Sequence, residues 1–255
     1  LTLTDLDNDC TYFLNGQEGN VEGNKIVFEN LTPNTDYQVV VRGEYKNTAN
    51  ETKYVYSFIY EKTKPVYVGT VCVNLDNKAT NIENILGVGV ELYLKEENDT
   101  SDTYIKLNKI EGTTGKYSAI LENGVYNIYS KQNNVYNSEY FQELIIEDAN
   151  RERYMNYYSV NYDANGGTLH NKSSYTQKYH ENVSVNITET VPVKEGYQFE
   201  GWNYNSNTYK PNDILTTAIS NTINLKANWT ANTYEVSYDG NGATSGEMLN
   251  STFTY

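Results

Sequence analysis

The sequence predicts a mainly β chain assembled from small tandem modules, and three observations carry that prediction. Thr, Tyr, Val and Ile recur in short runs, with Tyr (26) far outnumbering Phe (6); such side chains suit the half-buried surface of a strand. Asn, about one residue in seven, and Gly punctuate those runs and supply the positive backbone angles of tight turns. The third observation is a repetition: "YSVNYDANGGTL" (residues 158–169) returns as "YEVSYDGNGATS" (residues 234–245), an offset of 234 − 158 = 76 residues. Self-similarity at a fixed spacing is the mark of an array. A chain of 255 residues accommodates two or three such modules.

Residues 1–65 read as the first unit. "CTYFLNGQEGN" and "NKIVFENL" are strands around a Gly turn, "LTPNTDYQVVVRGEYK" a turn and a further strand, and "YVYSFIYEKTKP" a closing strand. Leu31, Pro33, Thr35 and Tyr37 form L-x-P-x-T-x-Y, which resembles the corner of a fibronectin type III sandwich. The resemblance implies that the Tyr37 hydroxyl bonds back to nearby backbone. The stretch is short for a whole module of that kind and lacks its core Trp, so a partial fibronectin type III-like module is expected, with its opening strand outside this segment.

Residues 66–154 form the second unit, entered after Pro65. "GTVCVNLDN", "ILGVGVELYLKEEN" and "TGKYSAILENGVYNIYSKQ" predict strand, loop, strand, loop, and a hairpin turned at Glu122-Asn123-Gly124. Gly69, Gly87-Val88, Leu92, Gly115-Lys116-Tyr117, Leu121, Gly124 and Tyr126 resemble the transthyretin-like β-sandwich of carboxypeptidase-regulatory and collagen-adhesin B-type domains. Some members of that group carry a Lys–Asn isopeptide crosslink; "TVCVNL" offers no inward Lys, so none is expected here.

Residues 155–231 form the third. Tyr158, Val160 and Tyr162 alternate with polar residues into the turn at residues 163–167. Val193, Tyr197, Phe199 and Trp202 are read as apolar anchors about a Gly196 turn, and Ile223, Leu225, Ala227 and Trp229 as the inward face of a closing strand. The three motifs together resemble the internalin-type B repeat, also called the Listeria–Bacteroides repeat. That resemblance implies a β-grasp module with one short helix, found in tandem on secreted or wall-attached bacterial proteins and bringing no catalytic residue; Trp202 and Trp229 are then core residues. Residues 232–255 read as the start of a second, truncated B repeat, so the sequence is taken as an internal piece of a longer protein.

Chemistry-bearing residues are sparse. His170 and His180 are read as exposed loop or strand residues, outside any HExxH or G-x-S-x-G motif. "GNGATSG" lacks the Lys and spacing of a phosphate loop. Asp5, Asp7 and Asp9 have the alternation of a calcium loop, but Cys10 stands at the sixth position and Gly16 at the twelfth, so a solvated acidic loop is expected. Cys10 and Cys72 could pair in a secreted protein, though two buried thiols are the better reading. No metal, cofactor or catalytic set is expected, and the chain is read as not an enzyme.

The net charge of −14 and pI near 4.6 argue against nucleic acid and anionic membrane surfaces, and no membrane-inserting run is present in this segment. Two functions remain: a stalk or spacer in an adhesive bacterial cell-surface or cell-wall protein, or an adhesin that itself grips a host protein or glycan. For the second, Tyr204, Tyr209, Tyr136 and Tyr140 are the candidate ligand-binding residues, because a ring with a polar tip suits sugars and protein patches alike. An accessory region of a secreted hydrolase is a third option. A monomer outside the cell is expected.

Overall fold

The structure is a computed structural model, and it describes every residue except 5, 8 and 140. Strands account for 54% of residues and helix for 2%, so the chain is nearly all β, as expected. Among the described residues, three apolar cores hold it together.

The first core lies between two small sheets. One takes β1 (Thr2–Leu3), β5 (Lys25–Val27) and β4 (Asn20–Glu22) in the order β1-β5-β4. The other takes β3 (Gln17–Glu18), β2 (Cys10–Leu14), β6 (Asp36–Lys46) and β7 (Thr52–Lys62) in the order β3-β2-β6-β7. Leu3, Tyr12, Leu14, Ile26, Phe28 and Val39 fill the gap. The Tyr37 hydroxyl accepts the Thr32 N–H at 2.8 Å, a backbone bond of the kind that the fibronectin type III resemblance implies. Cys10 is half-buried rather than buried, and both thiols are free. Asp5 lies outside the described residues; Asp7 Oδ1 accepts the Asp9 N–H at 3.0 Å, and so holds its own loop.

The second core is a sandwich. One face begins with β8 (Tyr67–Leu75), the short β9 (Lys78–Ala79), β12 (Asn108–Lys109) and β13 (Lys116–Leu121). The other holds β10 (Glu91–Glu96), β11 (Ile105–Lys106), β14 (Gly124–Gln132), β15 (Val135–Tyr136) and β16 (Glu143–Ile146), with a one-turn helix α1 (Glu83–Leu86) between the two faces in the chain. Val71, Val73, Leu92, Leu94, Tyr117, Leu121, Tyr126 and Ile128 meet inside. The expected hairpin at residues 122–124 is not one. β13 pairs with β8 and β12, whereas β14 pairs with β10, β15 and β16. The turn therefore carries the chain over the sandwich edge, so that Leu121 and Tyr126 enter one core from opposite sheets.

The third core belongs to β17 (Arg151–Asp163), β18 (Ser174–His180), β19 (Val185–Asn186), β20 (Tyr197–Tyr204), β21 (Asn207–Tyr209), β22 (Ile214–Thr216) and β23 (Ile223–Ala231). Val160, Tyr162, Trp202 and Leu225 are fully buried in it, and Trp229 packs at its margin with its indole N–H donated to the Ala164 carbonyl at 3.0 Å. Residues 155–231 hold no helix, against the one short helix that the family resemblance implied; Val185, Ile187, Leu215 and Ile219 from strands and loops pack on the core instead. Val193 is 69% exposed while its neighbour Pro192 is buried: the backbone of Val193 bridges Thr168, which turns its side chain outward.

β24 (Thr233–Val236) and β25 (Ser251–Thr254) form a final two-stranded hairpin. Asp163 Oδ1 accepts the Asn165 N–H and Asp239 Oδ1 accepts the Asn241 N–H, with Asn165 and Asn241 at φ 48° and 44°. The same turn thus occurs twice, 76 residues apart. The surroundings differ: Tyr158 and Val160 are buried, whereas Tyr234 and Val236 are 49% and 38% exposed.

Candidate functional site

The second and third cores meet at a joint rich in hydrogen bonds, and β17 builds it. Residues 151–157 run parallel to residues 69–75 of β8. Residues 160–163 run parallel to residues 223–226 of β23, and residues 157–163 pair antiparallel with β18. One unbroken strand thus ties β8 to β23 in a nine-stranded sheet, crossing the boundary expected at 154–155. Met155 and Tyr157 face the second core; Tyr158, Val160 and Tyr162 face the third. Because side chains alternate along a strand, the two cores lie on opposite faces of the same strand.

Asp76 closes the joint. It follows β8 in an Asp76-Asn77 turn at φ 51° and 63°, the geometry of a two-residue hairpin. Its N–H donates to the Tyr157 carbonyl at 2.9 Å. Its carboxylate accepts the Ser159 N–H at 2.8 Å, the Ser159 hydroxyl at 2.6 Å and the Thr222 hydroxyl at 2.6 Å. Burial pushes this carboxyl up, but the bonds from Ser159 and Thr222, with the Lys178 ammonium nearby, outweigh it and hold it below the usual carboxylate value. Beside it, Asn74 Nδ2 donates to Asn156 Oδ1 at 2.9 Å and Asn156 Nδ2 to Glu181 Oε2 at 3.0 Å, while the Lys178 ammonium reaches the Asn84 carbonyl.

His180 completes the joint, half-buried rather than exposed as its polar neighbourhood suggested. Its ring packs edge-on to Tyr157 at 5.1 Å and near Phe141 at 6.2 Å. Nδ1 lies 3.0 Å from the Glu181 carbonyl and so carries the proton. Nε2 is buried with no hydrogen-bond partner among the described residues. Burial, with Arg153 nearby, pulls its pKa down. His170 is exposed at φ 51° in the turn before β18.

The expected tyrosine site divides. Tyr204 and Tyr209 are half-buried on the β20–β21 hairpin and pack on the third core. Tyr136 belongs elsewhere, and Tyr140 lies outside the described residues. Tyr136 stacks on Tyr104 at 3.8 Å and meets Tyr93 edge-on at 5.2 Å, while Tyr104 meets Tyr129 at 5.5 Å. Lys131 sits over Tyr136 and Tyr93, and Lys95 over Tyr104. This group covers the outer face of the β10–β14 sheet: Tyr93 and Tyr129 pair across strands, as do Lys131 and Tyr136. The alternation in "ELYLKE" and "NIYSK" carries that signal, since Glu91, Tyr93, Lys95, Asn127, Tyr129 and Lys131 alternate with the inward Leu92, Leu94 and Ile128.

Residues 158–228 match the Listeria-Bacteroides repeat domain, which is therefore present in this chain. Two proteins of Evansella cellulosilytica are similar over part of it. One, named "Putative membrane protein", is 36% identical over 103 residues, 40% of this chain and 15% of the relative. The other, "Putative Gly-rich membrane protein", is 34% identical over 89 residues, 34% of this chain and 10% of the relative. The chain thus spans a small part of the length of these relatives. Among solved structures, the major pilin subunit BcpA of Bacillus cereus is similar at 11% identity and TM-score 0.33, covering 61% of this chain and 55% of the pilin. The Bacillus anthracis TIE protein is similar at 10% identity and TM-score 0.27, covering 92% and 52%. No helix of the described residues is long and apolar enough to cross a membrane.

Proposed function

We propose that this chain is a non-enzymatic, tension-bearing spacer segment of a bacterial cell-surface protein. The observation that carries the reading is the parallel pairing of β17 with β8 and with β23. Tension enters the second unit at Tyr67 and leaves along β17. Two parallel neighbours pulled from opposite ends load all their hydrogen bonds at once in shear, rather than opening them one by one. The third unit repeats the device, because β17 opens it and β23 closes it. The repeat domain and the names of the Evansella relatives support a place at the surface.

The test is single-molecule stretching of the chain between flanking handles. The expected record shows the second and third units resisting at higher force than the first, whose strands β6 and β7 pair antiparallel and adjacent in sequence. Opening of all three at the same low force would remove the spacer reading. A second reading, direct adhesion, draws on the Tyr93–Tyr104–Tyr129–Tyr136 group with its lysines. Retained binding to matrix proteins or glycans that disappears in Tyr136→Ala and Tyr104→Ala, but not in Tyr204→Ala, would favour it.

A further inference from the structure

β7 leaves an unusual edge. It pairs with β6 from Lys62 opposite Asp36 to Thr52 opposite Lys46 without a bulge, and it ends its sheet. Thr63 N–H donates to the Thr35 carbonyl and Asn47 N–H to the Glu51 carbonyl. Both ends thus set the same phase: the backbone groups of odd-numbered residues face β6, and those of Tyr54, Tyr56, Phe58 and Tyr60 face outward from the free edge. The rings of these four lie on one face and are 47%, 61%, 51% and 72% exposed. On the same face the Arg42 guanidinium sits 4.8 Å from the Phe13 ring and 5.2 Å from Tyr54, and Gln38 donates to the Tyr60 hydroxyl at 2.7 Å. Long, flat, apolar edges of this kind template strand pairing.

We propose that this edge is a self-association site, at which β7 pairs antiparallel with β7 of a second copy about a two-fold axis through Ser57. The residues select that occupant and that register. With Ser57 opposite itself, Tyr54 faces Tyr60 of the second copy, Tyr56 faces Phe58, Val55 faces Ile59 and Lys53 faces Glu61. Rings meet rings on one face, and aliphatic and opposite-charge pairs meet on the other, the pairings that stabilise a sheet. The outward backbone groups of the even residues then exchange hydrogen bonds in pairs. Moving the axis to Tyr56 sets Glu51 against Glu61, and moving it to Phe58 sets Val55 against Glu61; both lose the match. The two-fold repeats every contact, as an isologous interface requires. Lys53 already lies 3.2 Å from Glu51 of its own strand, so Glu61 of the second copy adds to that pair rather than replacing it. One strand edge is a small interface, and a dissociation constant of about 10–100 µM is expected.

Sedimentation of the full chain across a concentration series tests this, together with charge swaps and cysteine pairs. Lys53→Glu should weaken dimerisation about tenfold, because two Glu–Glu pairs replace two Lys–Glu pairs; adding Glu61→Lys should restore it. In a Cys10→Ser background, Ser57→Cys should crosslink under mild oxidation, since residues opposite at a non-hydrogen-bonded position approach closely, whereas Val55→Cys should not. A chain that stays monomeric at every concentration would overturn the proposal. So would a dimer indifferent to Lys53→Glu, or one in which Val55→Cys crosslinks as fast as Ser57→Cys. These side chains are exposed, so circular dichroism should confirm unchanged folding in each variant.

Discussion

Replacing Asp76 by Ala asks whether the second and third units are one cooperative body. The carboxylate accepts three hydrogen bonds, two of them from Ser159 and one from Thr222. Bonds to a charged group contribute roughly 1.5–3 kcal/mol each, and loss of the acceptor leaves the buried Ser159 N–H unpaired. The bonds share one acceptor and are not additive, and Asp76 is itself partly solvated, so the lower part of that range applies. Adding about 1 kcal/mol for forcing Ala to φ near 51° gives an expected loss of about 3 kcal/mol. Asp76→Asn keeps the turn and one acceptor and should lose about half as much. Both tryptophans, Trp202 and Trp229, lie in the third unit, so urea unfolding followed by tryptophan emission reports that unit alone. Asp76 lies in the second. A shift of the tryptophan transition in Asp76→Ala therefore measures coupling across the joint, and an unmoved transition would refute it. The pH dependence has a definite sign: a carboxyl held low in the folded state stabilises it above the ordinary Asp value of about 4 and loses that contribution as pH falls toward its folded value. Asp76→Asn should remove that acid-dependent part.

Three further outcomes are expected. His180 is held neutral by burial, so its contribution is complete above its unfolded pKa of about 6.5 and is lost as pH drops below it; melting temperature should fall between pH 7 and 5, and the fall should be smaller in His180→Gln. The added proton goes to Nε2, which has no hydrogen-bond partner among the described residues, and burial with the Arg153 charge outweighs the Glu181 carbonyl and carboxylate, which favour the charged ring. Tyr37→Phe removes the bond to the Thr32 N–H and should cost the first unit about 1 kcal/mol, read by near-ultraviolet dichroism, with the tryptophan transition unchanged. Trp202→Ala empties a fully buried site beside Tyr162 and Phe199 and should cost about 3–5 kcal/mol, seen as early unfolding of the third unit by the remaining Trp229.

Local structure was largely legible in the sequence because its signals are local. Asn–Gly at residues 15–16 turns β2 into β3, and of the 17 described non-Gly residues at positive φ, 13 are Asn. The abundance of Asn thus has a backbone use. Alternation in "INLKANWT" placed Ile223, Leu225 and Ala227 inward, as they are. What failed was partner choice. A turn signal at Asn123-Gly124 is the same whether the next strand returns beside the first or passes to the facing sheet. Val193 looked like an anchor because apolar residues flank Pro192 on both sides, and only the bridge to Thr168 decides which one turns in. The joint was invisible for a related reason. Asp76, Ser159 and Thr222 are 83 and 146 residues apart along the chain, and nothing in "LDN", "YSV" or "SNT" announces a shared carboxylate. Even so, "YYSV" carries a trace of it: consecutive Tyr157 and Tyr158, both buried, break the two-residue period where a strand changes the face it covers.

The two faces of β17 also order events during synthesis. Chains emerge N-terminus first, so β8 must wait for residues 151–157 before the second unit can close. Once it has closed, residues 158–163 stand fixed as one edge of a sheet whose remaining strands have yet to leave the ribosome. The third unit then grows on a template whose register has been set by its predecessor. A one-residue slip would turn Tyr158, Val160 and Tyr162 to the wrong side, and here that error is excluded before the strands able to make it exist.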